Sequence, residues 1–198
     1  SIANVIEPLP YHIKNNIPKK TFETLYRIGE NVIANGHFSA ITLAGGQGTR
    51  LGFKGPKGTF ELDIEPKKSL FQILCEQLKR ANDKYHTIIP WYIMTSPENH
   101  FDTVDFFKSK NYFNYDKNQI YFFEQGKLPL INLNGHLILE ELDKVKEASN
   151  GNGDVFCSLS QSGLLQNMKG KNIQYVCLTG VDNIICEMVD PLFIGLSV

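Results

Sequence analysis

The chain has 198 residues, 42% of them hydrophobic and 11% aromatic, enough apolar material for one packed domain and too much for wholesale disorder. Twenty Lys and Arg against 21 Asp and Glu leave a formal charge of −1, which argues against a generally basic nucleic-acid binder or a polybasic membrane module. No run approaches about 18 apolar residues, and the first residues carry no apolar stretch of the signal-peptide kind.

In chain order, the first twenty residues hold Pro8, Pro10, Pro18 and Asn15-Asn16 and read as an extended lead-in. Phe22, Leu25, Tyr26, Val32 and Ile33 recur at helical spacing and predict a helix over 19–35, with Gly36 as its stop. Phe38 to Ala44 reads as a buried strand. A loop rich in glycine follows, GGQGTRLGFKGPKG over 45–58. Ser69 and Gln72 form a capping-box pattern ahead of LFQILCEQLKRA, whose apolar residues make one stripe. Ile88 to Thr95 predicts a strand that starts around Pro90. Phe101 to Lys108 predicts a helix, and Ile120 to Phe123 a short strand. Asn134-Gly135, between two alternating apolar runs, predicts a hairpin with a type I′ turn. After the polar stretch 144–154, the pattern suggests a helix over 155–165 and a strand over 173–178. The chain then reaches Val198 with no further helix foreseen, which suggests that the fold is cut short.

Strands alternating with helical stretches predict an α/β sheet that is mainly parallel. Cys75, Cys157, Cys177 and Cys186 include no CxxC pair, so they read as reduced core or near-core thiols in a reducing compartment. The five histidines share no ligand spacing.

Chemistry concentrates in the glycine loop. It follows a buried strand, at the strand end where open α/β sheets bind ligands. Gly45, Gly46 and Gly48 let the backbone approach a ligand closely, and Arg50 and Lys57 add fixed positive charge. Backbone donors beside two cations suit a polyphosphate whose charge shifts during reaction. A Walker A loop is excluded, because Gly126-Lys127 and Gly170-Lys171 lead into Leu and Asn. The dinucleotide fingerprint fails as well, since Leu51 stands where Gly or Ala is needed.

The motifs GGQGTRLG and PKG, then KSLFQ, PWYIMTS, FFEQGKLP, LILEE, GNG, and VDN followed by DPLFIG, stand in this order from Phe38 to Gly195. Together they resemble the eukaryotic-type UDP-N-acetylglucosamine pyrophosphorylases, within the UDP-sugar pyrophosphorylases. The resemblance implies a GT-A-like α/β fold with a mixed, mainly parallel sheet, helices on both faces and a hairpin insertion. The expected organisation is an N-terminal segment and helix over 1–36, then a nucleotide-binding domain over 37–198 truncated on its C-terminal side.

The implied reaction joins UTP and N-acetylglucosamine 1-phosphate into UDP-N-acetylglucosamine and pyrophosphate, with Mg²⁺, in the cytoplasm. By the family pattern, Arg50 holds the departing phosphates and Lys57 neutralises the α-phosphate. Main chain at Leu43, Ala44, Gly45 and Gly46 receives the uridine, Gln125 reads the uracil edge, and Gly151 and Asn152 lie along base and sugar. Asp182 holds magnesium, an ion that keeps several waters and phosphate oxygens. UTP and a sugar 1-phosphate are the expected partners, with no nucleic acid and no membrane. Asp154 departs from the family pattern, which has glycine there. A catalytically incomplete UTP-binding fragment, a regulatory paralogue, or the same reaction on glucose or N-acetylgalactosamine phosphate stay open.

Overall fold

The computed structural model describes residue 11 and residues 13–198; most of the expected lead-in, 1–10 and 12, lies outside the described residues. Helix α1 (Lys19–Ala34) ends where expected, at Asn35 and Gly36. Strand β1 (Phe38–Leu43) leads into the glycine loop. Two short strands, β2 (Glu61–Leu62) and β3 (Lys68–Ser69), pair antiparallel. Helix α2 (Leu70–Tyr85) starts on Ser69, whose hydroxyl accepts the Gln72 N–H at 3.2 Å. Only half of the expected capping box forms, because the Gln72 side chain donates to Glu76 instead, at 3.1 Å.

Strand β4 (Trp91–Thr95) begins after Pro90 and not at Ile88. Proline has no N–H to give the ladder, and Ile88 is half exposed. Helix α3 (His100–Ser109) and strand β5 (Ile120–Glu124) follow as expected.

An antiparallel excursion comes next: β6 (Lys127–Pro129), β7 (Leu139–Glu141), β8 (Lys144–Val145) and β9 (Glu147–Ser149), with β6 on β9 and β7 on β8. The hairpin tip at 132–135 is not type I′. Gly135 takes φ +80°, but Asn134 does not enter the left-handed region. Asn132 Oδ1 accepts the N–H groups of Asn134 and His136, at 2.9 and 3.0 Å, and this side-chain turn displaces the one expected.

The helix expected over 155–165 is two helices, α4 (Val155–Gln161) and α5 (Leu164–Gly170). They divide at Gly163, whose φ of +77° interrupts the helix. Strand β10 (Tyr175–Gly180) starts two residues later than expected. A closing helix that the sequence reading did not foresee, α6 (Pro191–Ser197), packs along α1. Asp190 Oδ1 caps it, accepting from Leu192 N–H at 2.8 Å, and Pro191 at the first helical position is a start signal.

The central sheet runs β10-β1-β4-β5, all neighbours parallel. Every residue of β4 is buried, as a strand covered on both faces requires. Trp91 and Ile93 join one core with Ile33, Leu74, Leu78 and Phe107 from the helices. Tyr92 and Met94 face a second core with Phe123, Val155, Leu159 and Met168. The helices therefore cover both faces. All four cysteines are free, but Cys157 is exposed, against the expectation of core or near-core thiols. It lies on the outer side of short helix α4. Among the described residues, no helix is long and apolar enough to cross a membrane.

Candidate nucleotide site

Parallel strands place all their carboxyl ends on one edge of the sheet. Successive strands step from β1 to β4 to β5 on one side, then β10 joins β1 on the other. The order reverses between β1 and β10, and such a reversal opens a crevice at the carboxyl ends. The glycine loop leaves β1 here, Ser96 and Asn99 follow β4, Gln125 follows β5, and Asp182 follows β10.

Leu43 ends β1 half-buried, Ala44 is buried, and Gly46 is exposed. Ala44 N–H donates to Met94 O at 2.7 Å, tying the start of the loop to β4. The Gln125 side chain lies directly over Gly45, where a Cβ would come within 2.5 Å of Gln125 Nε2. Glycine is needed for that approach. Gln125 is only 5% exposed, and its Oε1 is buried without a hydrogen-bond partner among the described residues. A buried amide oxygen without a donor costs free energy, ~1–3 kcal/mol in typical proteins. As placed, this oxygen has no solvent access, so a ligand N–H reaches it only when the Gln125 side chain turns toward the crevice.

The loop folds back so that Lys57 N–H donates to Gly46 O at 3.0 Å. Gly58 packs under the Phe71 ring, where a Cβ would lie 2.2 Å from Cε2. Anchored there, Lys57 extends its ammonium to Asp182 Oδ2, at 3.0 Å. The Asp182 carboxyl is held below the usual carboxylate range, first by this hydrogen bond. Lys57 is one-fifth exposed and Asp182 three-fifths, so the pair stands at the rim of the crevice. Asp182 is the carboxylate paired with the glycine loop's lysine, and no cluster of three or more His, Cys, Asp or Glu among the described residues could hold a metal. One exposed carboxylate fits an ion such as Mg²⁺ that takes its remaining ligands from phosphates and water.

Gly151 turns the chain with φ +86°, and Asn152 is exposed in the single turn before α4. The carboxylate of Asp154 is engaged by protein donors beside the crevice. It accepts from Gly126 N–H at 2.6 Å, Ser158 hydroxyl at 2.7 Å and Asn150 Nδ2 at 2.9 Å. The Ser158 and Gly126 bonds hold its pKa low. Its negative charge is thereby spent on joining the 150–154 turn to the residue after Gln125. Arg50 is exposed on a single turn, Thr49–Leu51, and forms no ion pair among the described residues. The fold thus brings Gly45 to Gln125 and Lys57 to Asp182, links Gly151 and Asn152 to Gln125 through Asp154, and leaves Arg50 in solvent.

Asn99 was not foreseen. It is fully buried, and its Nδ2 donates to Ala44 O at 3.0 Å and Gly46 O at 3.3 Å. The sequence signal was ambiguous, because an Asn at a helix start reads as an N-cap. Here the side chain makes no cap bond to α3 and turns to the glycine loop.

A parallel α/β sheet with helices on both faces and a glycine loop after its first strand is the nucleotidyltransferase-type fold of the UDP-sugar pyrophosphorylases. The chain belongs to the UDP-sugar pyrophosphorylase family, whose profile, described as UTP--glucose-1-phosphate uridylyltransferase, matches residues 14–198. It is 39% identical to UDP-N-acetylglucosamine diphosphorylase 2 of Arabidopsis thaliana, over 96% of this chain and 41% of that protein. It is 38% identical to the UDP-N-acetylglucosamine pyrophosphorylase of Saccharomyces cerevisiae, over 98% of this chain and 42% of that protein. The crystal structure of a UDP-N-acetylglucosamine pyrophosphorylase from Entamoeba histolytica, described as putative, superposes with TM-score 0.83 at 39% identity, covering 95% of this chain and 48% of that one. The chain therefore spans about two-fifths of the length of the curated relatives it matches.

Proposed function

We propose that the chain forms the uridine-nucleotide site of an enzyme that joins UTP and N-acetylglucosamine 1-phosphate into UDP-N-acetylglucosamine and pyrophosphate. The observation that carries this reading is Gln125, a buried amide with an unpartnered Oε1 laid over Gly45. Uracil offers an N–H donor beside a carbonyl acceptor, a pattern that one carboxamide matches with both its atoms. The names of the relatives supply the acetylated sugar.

In the proposed reaction the sugar-phosphate oxygen forms a bond to the α-phosphorus of UTP, and the bond to the β-phosphate oxygen breaks. Such transfer needs positioning and charge neutralisation more than covalent help. Lys57, at the rim beside Gly46, meets the α-phosphate. Arg50, without an ion pair to break, meets the departing pyrophosphate. Leu43 to Gly46 form the floor under uridine, and Gly151 and Asn152 flank base and sugar. Asp182 would hold Mg²⁺, which supplies charge neutralisation between phosphates.

The length relation favours a second reading for this chain alone: it binds UTP without completing transfer. Calorimetric titration with UTP, followed by a transfer assay with N-acetylglucosamine 1-phosphate, separates the two. Binding with turnover supports the enzyme, binding without turnover supports the incomplete site, and no binding removes both.

A further inference from the structure

Asn99 spends every polar atom of its side chain. Oδ1 accepts the Ser96 N–H at 2.9 Å, and Nδ2 donates to the carbonyls of Ala44 and Gly46. In a trans peptide, the N–H points opposite to the carbonyl of the same plane. Drawing the Ala44 and Gly46 carbonyls inward onto Asn99 therefore turns the N–H groups of Gly45 and Gln47 outward. Gly45 is partly exposed and Gln47 exposed, and neither the Gly45 nor the Gln47 N–H donates to any acceptor among the described residues. Two outward main-chain donors on alternate residues make a fixed patch of positive potential.

We infer that Asn99 is a positioning residue of the nucleotide site: its carboxamide locks two peptides of the glycine loop so that Gly45 and Gln47 present their N–H groups to a bound uridine nucleotide. This rests on the uridine-nucleotide reading above. Asn99 touches no ligand itself; it removes the freedom of a loop that three nearby glycines would otherwise leave loose.

The test is an amide-resolved titration of the 198-residue chain with UTP. In the wild type, the Gly45 and Gln47 amides should shift on UTP addition, and their hydrogen exchange should slow at least tenfold. In Asn99→Asp, the acceptor for Ser96 remains and both donors are lost. UTP affinity should fall at least tenfold, and at saturating UTP the two amides should no longer shift together, while the Gln125 side-chain resonances still respond. Should that variant not fold, the wild-type exchange data decide alone. UTP that moves Gln125 but neither loop amide, or an Asn99→Asp protein that binds UTP as the wild type does, overturns the role of Asn99 and leaves the nucleotide site standing. Silence of every resonance toward UTP would remove the site and this role together.

Discussion

The Lys57 ammonium sits 3.0 Å from Asp182 Oδ2, across 125 residues of sequence. The cation ends a loop after β1, the carboxylate follows β10, and the pairing of these strands sets the two face to face. In the ligand-free protein each neutralises the other. A triphosphate that draws Lys57 away would leave Asp182 open to a cation, so nucleotide and Mg²⁺ should load together. Mg²⁺ titrated alone should show no saturable binding below the millimolar range, because one exposed carboxylate already holding an ammonium is a poor site. Calorimetry with and without UTP checks this; tight Mg²⁺ binding to the free protein would contradict it.

Replacing Lys57 should cost far more than replacing an ordinary surface lysine. In the complete enzyme, Lys57→Ala should slow transfer by about 100-fold or more, as the loss of a transition-state charge donor does. Lys144, paired with Glu140 at 2.7 Å on the exposed excursion, should tolerate Ala with little effect. Steady-state rates on both variants check the contrast, and equal effects would make Lys57 ordinary.

The two glycines that admit close neighbours should respond differently to Ala. At Gly45 the obstacle is the end of the Gln125 side chain, which can swing aside. Gly45→Ala should keep its melting temperature within about 2 °C and lose UTP affinity. At Gly58 the obstacle is the fully buried Phe71 ring, so Gly58→Ala should lose about 1–3 kcal/mol of stability by overpacking. Thermal melts and UTP titrations on the pair read both effects.

Much of this arrangement was legible before the fold. The alternation of buried strands and amphipathic helices gave the parallel sheet, and the glycine loop announced the carboxyl end of β1. Gln125, Lys57 and Asp182 were named from their motifs, and the fold sets Gln125 against Gly45 and Lys57 against Asp182; their roles belong to the proposal. What escaped depends on choices between competing hydrogen bonds. Asn132 decided the hairpin tip against Asn-Gly, Gln72 preferred Glu76 to its own cap, and Asn99 turned from its helix to the loop. Composition cannot rank such options, since each is locally satisfactory. Helix α6 was missed because it is only seven residues long, carries Pro191 and Gly195 as breaker signals, and has its partner, α1, far back in the chain.

Asp154 should make stability depend on acid pH. Its pKa is depressed in the folded state, so its contribution is fully present above the ordinary carboxylate range and fades as pH falls through the lowered value. Asp154→Asn should be less stable than wild type at pH 7, by ~1–2 kcal/mol for lost charge-assisted bonds at a partly exposed site. The gap should narrow as both proteins are brought below the folded-state pKa. Urea unfolding at several pH values reads the gap, and a constant difference would deny Asp154 its charged role.

The most direct measurement is a crystal structure of this chain with UTP and Mg²⁺. The uracil should lie on Gly45 with its N–H donating to Gln125 Oε1, and Lys57 should have left Asp182 for the α-phosphate, about 3 Å away. A nucleotide bound elsewhere, with Gln125 Oε1 still unpartnered and Lys57 still on Asp182, would contradict the assignment of this crevice to uridine nucleotides.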